Sequence, residues 1–163
     1  MNKKISYLSV ALLLPILIFL FLKYFGKNEF DIPIYYEKSV EDSLTSKCGV
    51  KINHQYFVSD SAMSSLKWNG GVMLVIDVNE SELKAVDELI VEKGFADLRI
   101  FSLSNFSSRE NLAEFKKCVL FMRSPWNAVL IDNQKRIRGY YMIGYRDEMD
   151  RLEVELKILL KKY

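Results

Sequence analysis

VMLVIDVNESELKAVDELIVEKGFADLRIFSL, residues 72–103, is the stretch that decides the fold of this chain. Residues 72–78 form an apolar run of the kind that parallel sheets bury on both faces, and residues 98–103 predict a second strand. Between them, Asn79 and Glu82 have the spacing of a helix capping box, and apolar residues then recur at helical intervals. Strand, helix and strand in this order predict a βαβ unit whose strands pair in parallel with a right-handed crossover.

The elements that follow predict an antiparallel end to the same sheet. A second capping box opens a short helix over residues 107–118. Apolar segments at residues 128–131 and 137–141 flank a polar turn, and residues 147–161 form an amphipathic helix with acids first and lysines last. A parallel βαβ unit followed by an antiparallel ββα unit is the minimal thioredoxin arrangement. We therefore predict an α/β, thioredoxin-like fold: a four-stranded mixed sheet flanked by helices.

The N-terminal residues predict a membrane anchor. Residues 5–22, ISYLSVALLLPILIFLFL, carry no charged side chain. As a helix they would span about 27 Å at about 1.5 Å per residue, close to a bilayer core of about 30 Å. Bulky and basic residues follow in place of a small-residue cleavage site, so we expect an uncleaved, single-pass anchor. A weak charge bias favours a short tail inside and the domain outside, which in a bacterium is the periplasmic face of the inner membrane.

The chain divides into three parts on this interpretation. Residues 1–22 are the tail and anchor, residues 23–46 a tether without sustained periodicity, and residues 47–163 the thioredoxin-like domain. Within the domain, alternating residues over 50–58 predict a further strand. The formal net charge is only +2, and no basic stripe with interleaved aromatic residues is present, so we do not expect nucleic-acid binding.

Two cysteines and the single histidine are the candidates for metal or thiol chemistry. Cys48 and His54 have a spacing that would supply two ligands to a metal ion, which is only a fragment of a site. Cys118 follows two lysines that would lower the pKa of an exposed thiol, but its place in the helical pattern also suits a buried, inert thiol. In an oxidising compartment Cys48 and Cys118 would be able to pair as a disulfide. The sequence leaves these alternatives open, and an ordinary surface or half-buried residue is the simplest interpretation of His54.

The aromatic residues near the hairpin have two interpretations. Sheet packing is one, because aromatic residues favour strands. A docking surface for a partner, such as a membrane protein complex, is the other, because aromatic residues are frequent in binding hot spots. The residues concerned are Trp126, Tyr140, Tyr141 and Tyr145. The charged residues form no catalytic set, since His54 is the sole conventional general base, and we predict no catalytic residue and no enzyme activity.

The hairpin and the last helix resemble the C-terminal part of the SCO/SenC family, membrane-anchored thioredoxin-fold proteins that help to build the copper site of cytochrome oxidase. Residues 128–160 read AVLIDNQKRIRGYYMIGYRDEMDRLEVELKILL. The family shows a strand, an Asp-x-x-x-x-Ile-Arg-Gly-Tyr-Tyr hairpin and an amphipathic helix that opens with acids. The matching residues are Asp132, Ile137, Arg138, Gly139, Tyr140 and Tyr141. The resemblance covers about a third of the domain and is faint before residue 100.

The departures from that family concern its copper ligands. Its two cysteines lie in a Cys-x-x-x-Cys loop directly after the first strand of the βαβ unit, where this chain runs from Val78 into Asn79 and the helix. Its ligand histidine matches Ser124, which is no soft-metal ligand. Pro125 lies near the position where thioredoxin-like domains place a cis-proline.

The resemblance implies copper, but none of the three family ligands is present in this sequence. We therefore expect no cofactor and a non-catalytic accessory in oxidase or copper-site assembly, or an envelope interaction module. The alternative is a thiol-redox or metal-binding protein that uses Cys48, Cys118 and His54.

Overall fold

The structure, a computed structural model, describes residues 12–21, 23, 31–106 and 109–160. It divides into two compact units, residues 1–31 and residues 32–163. In the first unit, residues 12–21 are helical and expose apolar side chains. Residues 5–11 and 22 of the expected anchor lie outside the described residues. Within the described part of the chain, none of the helices has both the length and the apolar character needed to cross a bilayer.

The second unit contains four strands and five α-helices among its described residues. In chain order they are α1 (Asp42–Thr45), α2 (Asp60–Ser65), β1 (Val72–Ile76), α3 (Glu80–Lys93), β2 (Leu98–Ser102), α4 (Arg109–Glu114), β3 (Ala128–Ile131), β4 (Ile137–Tyr141) and α5 (Arg146–Leu159). A 3₁₀ turn, Leu103–Asn105, follows β2, and a π-helical turn, Phe115–Val119, extends α4.

The strands form one mixed sheet in the order β2-β1-β3-β4. β1 and β2 pair in parallel with Val72 opposite Leu98, as the βαβ pattern predicts. β3 is antiparallel to both of its neighbours, β1 and β4. The predicted α/β architecture, a four-stranded mixed sheet flanked by helices, is therefore confirmed.

β1 is buried along its whole length, and its side chains alternate between two hydrophobic cores. Leu74 and Ile76 belong to the core that α3 and α5 cover, together with Val86 and Leu152. Met73 and Val75 lie in the other core, which the segment before β1 covers together with the π-helical turn. The sheet is thus the middle layer of three, because an apolar strand of this kind must be covered on both faces.

The ends of α3 are as the sequence predicts. The Asn79 side chain accepts a hydrogen bond from the Glu82 backbone N–H at 3.0 Å, and the Asn79 N–H donates to Glu82 Oε2 at 3.1 Å. Gly94 then ends the helix with a left-handed φ of 68°. This reciprocal cap satisfies backbone groups that a helix start leaves without partners.

Two sequence-based boundaries need correction. Residues 50–58 form no strand. Isolated backbone hydrogen bonds connect this segment to the rest of the domain instead: the Val40 N–H donates to Ile52 O at 3.0 Å, and the Val58 N–H donates to Lys135 O at 2.9 Å. The tether predicted over residues 23–46 is also too long. Its C-terminal half belongs to the domain, since Val40 is buried in the core and the Tyr35 N–H donates to Ile137 O at 2.9 Å.

The β3–β4 hairpin is built around one buried carboxylate. Asp132 Oδ1 accepts from the backbone N–H groups of Gln134 and Arg136, at 2.8 and 3.0 Å. Its Oδ2 accepts from Arg136 Nε at 2.7 Å and from Arg138 Nη1 at 3.1 Å. Burial alone would raise the pKa of Asp132, but Arg136 and the backbone donors outweigh it, so the pKa lies below its usual value. The turn aspartate thus carries its charge in the interior.

Gly139 permits close packing in the same hairpin. A Cβ at this position would lie 2.7 Å from Cζ of Tyr141, whose ring is fully buried against α5. Cβ atoms in real proteins essentially never come this close to another atom, so a residue with a Cβ at position 139 would clash with the Tyr141 ring. Close packing therefore explains the Gly-Tyr-Tyr sequence of β4.

We predict that Asp132→Asn lowers the free energy of unfolding by about 3 kcal/mol at pH 7, because it removes a charged partner of the buried Arg138 guanidinium. The folded-state pKa of Asp132 is depressed, so its contribution is complete above about pH 4 and is lost as the pH falls through that folded-state value. The difference between the two proteins should shrink accordingly. Urea unfolding followed by tryptophan fluorescence at a series of pH values measures it.

Asp60→Asn is the matched control for that experiment. Asp60 also pairs with a cation, Lys135, but its side chain is 88% exposed, so the expected loss is below about 1 kcal/mol. Equal losses in the two variants would contradict a special role for the buried carboxylate.

Candidate functional site

The β1 junction, residues 77–79 between β1 and α3, is the place where the resembled family carries its cysteines. The Asp77 N–H donates to Asn127 O at 2.8 Å, which ties the junction to the loop before β3. That loop contains the Ser124–Pro125 peptide bond, which is cis. The junction, the N-terminus of α3 and the loop of Ser124 therefore meet at the end of the sheet where β1 stops.

An ion pair occupies the β1 junction. The Lys116 ammonium group, from the π-helical turn, contacts the Asp77 carboxylate, and the two side chains are 31% and 36% exposed. The pair joins the end of β1 to the segment between α4 and β3. The sequence showed Lys116 only as one of two lysines before Cys118, and nothing in it indicated a partner 39 residues away.

Cys48 and Cys118 form a disulfide with a Cα–Cα distance of 5.6 Å. Cys48 lies in the turn after α1, Cys118 lies in the π-helical turn, and both residues are half-buried. Of the alternatives that the sequence left open for Cys118, the buried inert thiol is therefore wrong, because its sulfur is bonded. The disulfide connects residues 70 apart in sequence, a distance over which spacing gives no indication of pairing.

His54 is exposed on the segment before α2. It has no hydrogen bond or ion pair with any described residue, in keeping with an ordinary surface histidine. The described residues also contain no group of three or more His, Cys, Asp or Glu side chains arranged to hold a metal ion.

The four aromatic residues near the hairpin divide into two pairs. Trp126 and Tyr145 are exposed, at 41% and 64%. Tyr140 and Tyr141 are buried at 2% and 0%, so their assignment to a docking surface is wrong. Alternation along β4 sends them into opposite cores: Tyr140 Oη donates to Leu120 O at 2.7 Å, and Tyr141 Oη donates to the Glu155 carboxylate. Burial raises the pKa of both phenols, which keeps them neutral donors.

Copper does not fit the residues of the β1 junction. Cu(I) prefers thiolate, thioether and imidazole ligands, whereas this junction presents the carboxylate of Asp77, the amide of Asn79 and an ammonium group that repels cations. The two cysteine sulfurs are bonded to one another, and a thiolate is the form that binds metal.

Comparisons with known proteins find no match to this chain. This holds for protein-family models, for curated proteins and for solved structures. The interpretation of function therefore depends on the β1 junction, the disulfide and the residues around them.

We predict a coupling energy of about 1 kcal/mol between Asp77 and Lys116 in a double-mutant cycle with Asp77→Asn and Lys116→Met. Urea unfolding at low salt measures the coupling, which should weaken at high salt. The control pair is Asp42 and Lys51, at 3.6 Å with side chains 73% and 66% exposed. We expect its coupling to be near zero; equal coupling in both pairs would contradict a distinct role for the junction pair.

We predict that Cys48→Ser with Cys118→Ser lowers the free energy of unfolding by between about 3 and about 5 kcal/mol, the range for a loop of this length. A thiol-free reductant should bring the unmodified protein to the stability of the variant and leave the variant unchanged. Urea unfolding with and without reductant measures both effects. Stability that does not respond to reductant would contradict the disulfide.

Proposed function

We propose that this chain is a membrane-anchored, thioredoxin-like protein of the SCO type that acts without catalysis and without bound copper. Its role would be that of an accessory in assembling the copper site of a respiratory oxidase, or more generally an interaction module of the bacterial envelope. The observation that carries the non-catalytic part is the Asp77–Lys116 ion pair at the β1 junction.

The sheet supports the thioredoxin-like part of the proposal. A parallel βαβ unit, with β1 and β2 side by side, is followed by an antiparallel hairpin and a helix on the α3 face. The hairpin that carries the family resemblance contributes β4, the edge strand on the side of the sheet opposite β2. Fold alone does not fix function, so the role rests on the junction.

The junction supports a scaffold more than a reactive centre. The reciprocal cap between Asn79 and Glu82 begins α3 directly after Val78, so the short connection has no room for the loop that relatives use. Lys116 neutralises Asp77 there, and an ion pair of this kind supplies neither a nucleophile nor a soft ligand.

The disulfide supports a location outside the cytoplasm. Disulfides form and persist in oxidising compartments such as the bacterial periplasm and are rare in the cytosol. The charge-free residues 5–22 and the exposed apolar side chains of helical residues 12–21 support anchoring in the inner membrane. The domain would then face the periplasm.

Thiol–disulfide exchange is the second candidate function, and the half-buried Cys48–Cys118 pair is the observation that favours it. A dithiol reductant would attack one sulfur as its thiolate, release the other cysteine as a thiolate through a mixed disulfide, and leave oxidised as a disulfide itself. Lys47 and Lys117, each next to a bridged cysteine in sequence, would stabilise the thiolates that result.

Gene deletion followed by complementation tests both candidates together. We expect the deletion strain to lose activity and copper content of its cytochrome oxidase. The unmodified gene should restore both, and so should the Cys48→Ser/Cys118→Ser variant, provided that the variant accumulates to the same level in membranes. Oxidase activity and copper per haem in isolated membranes are the measurements.

Two other outcomes would each contradict a different part of the proposal. Normal oxidase in the deletion strain would overturn the assembly role. A folded, membrane-bound cysteine variant that fails to restore the oxidase would contradict the scaffold role and favour thiol exchange, because this variant lacks the sulfur chemistry.

A further inference from the structure

A cleft with three basic side chains lies beside the loop of Ser124. Its volume is about 420 Å³, within the usual range for sites that bind small molecules. Three elements form it: α1 with the turn after it, the π-helical turn, and the loop before β3. The lining residues are Ser43, Leu44, Lys47, Lys117, Arg123 and Ser124.

The positive charge of the cleft is not balanced by its surroundings. Lys47, Lys117 and Arg123 have no carboxylate within ion-pairing distance among the described residues. Glu41 is the acid at the border, where its Oε2 accepts from Ser43 Oγ at 3.2 Å, and the next acid, Asp42, pairs with Lys51 at 3.6 Å. The residues that line the cleft include three cations and no carboxylate, which gives a net positive site with hydrogen-bond donors for an anion.

Arg123 is held in place across the cleft. Its Nη2 donates to the backbone carbonyl of Ser43 at 2.9 Å. A guanidinium has five N–H donors in a planar fork, so this one bond orients the group and leaves further donors for a ligand. An arginine held in this way suits oxyanions with several oxygens, which it binds with two parallel hydrogen bonds.

We propose that this cleft binds a phosphate group, carried either by a soluble phosphate compound or by a phospholipid headgroup. A phosphate monoester carries between about −1.5 and −2 charges near pH 7 and three acceptor oxygens, which matches three cations and the hydroxyl of Ser124. A single carboxylate would leave most of this charge without a partner. The inference is independent of the proposed assembly role.

The disulfide builds the cleft. Lys47 precedes Cys48 and Lys117 precedes Cys118, so the Cys48–Cys118 bond brings two lysines 70 residues apart to one site. α1 has only 4 residues, too few to be stable as an isolated helix. Besides the disulfide, the Arg123–Ser43 hydrogen bond ties the backbone of α1 to the loop before β3. The oxidised protein should therefore bind phosphate more tightly than the reduced protein.

NMR of the ¹⁵N-labelled full chain in phosphatidylcholine nanodiscs tests the proposal. In one arm, inorganic phosphate is titrated at constant ionic strength against chloride; in the other, phosphatidic acid replaces part of the phosphatidylcholine. We expect saturable shifts of the backbone N–H signals of Lys47, Lys117 and Ser124 in at least one arm. Shifts with inorganic phosphate indicate a soluble ligand, and shifts with phosphatidic acid alone indicate a headgroup.

Substitutions separate a site from general charge. Lys117→Gln should weaken binding about tenfold, the value of one charge-assisted hydrogen bond. The matched control is Lys84→Gln on α3, whose side chain is 78% exposed and distant in sequence from the cleft; it should leave the affinity unchanged. Shifts that do not saturate in either arm, or an equal loss in the control, would overturn the proposal.

A second cycle tests the part played by the disulfide. Lys47→Gln should weaken binding in the oxidised protein but have no further effect in the Cys48→Ser/Cys118→Ser background, because that background no longer holds Lys47 in the cleft. Unchanged signals from β1 and β3 would show that the background variant is folded. Equal effects of Lys47→Gln in both backgrounds would overturn the claim that the disulfide positions this lysine.

Discussion

The burial of β1 on both faces is the constraint on which the rest of the domain depends. Every residue of this strand is less than 7% exposed, so apolar surface must cover it from two sides. On one side two regular amphipathic helices, α3 and α5, provide the cover. On the other side most of the cover comes from the irregular segment before β1, with its short helices α1 and α2. Regular helices therefore bury one face of β1, and mostly irregular structure buries the other.

The irregular segment before β1 is held against the rest of the domain by hydrogen bonds and a disulfide. The Arg138 guanidinium donates to the backbone carbonyl of Ile32, and Tyr56 Oη donates to Val119 O at 2.7 Å. The Cys48–Cys118 bond adds a covalent tie to the same segment. In the hairpin, Asp132 balances the charge of Arg138. Asp132 and Arg138, which are part of the family resemblance, thus stabilise the fold of this chain.

Charge is distributed unevenly around the end of the sheet where β1 stops. At the β1 junction, Lys116 meets the carboxylate of Asp77 and the local charge cancels. One residue further along the chain, Lys117 lines a cleft in which positive charge is in excess. A neutralised junction favours an inert scaffold, whereas an unbalanced cleft favours the binding of an anion. The two functions that we propose for this end of the domain are therefore binding functions, and neither involves chemistry at the junction.

The sequence by itself determined the βαβ unit, the hairpin and the terminal helix, because their signals lie within one element: apolar periodicity, the Asn79 cap, and the turn around Asp132. Only the tertiary structure decided the rest. Three features depend on contacts between residues far apart in the chain. Residues 32–66 cover one face of the sheet, Tyr140 and Tyr141 are buried in opposite cores, and Cys48 is bonded to Cys118. The basic cleft is of the same kind. Its lysines and Arg123 look like ordinary surface residues in sequence, and they form a site only because folding brings three segments together.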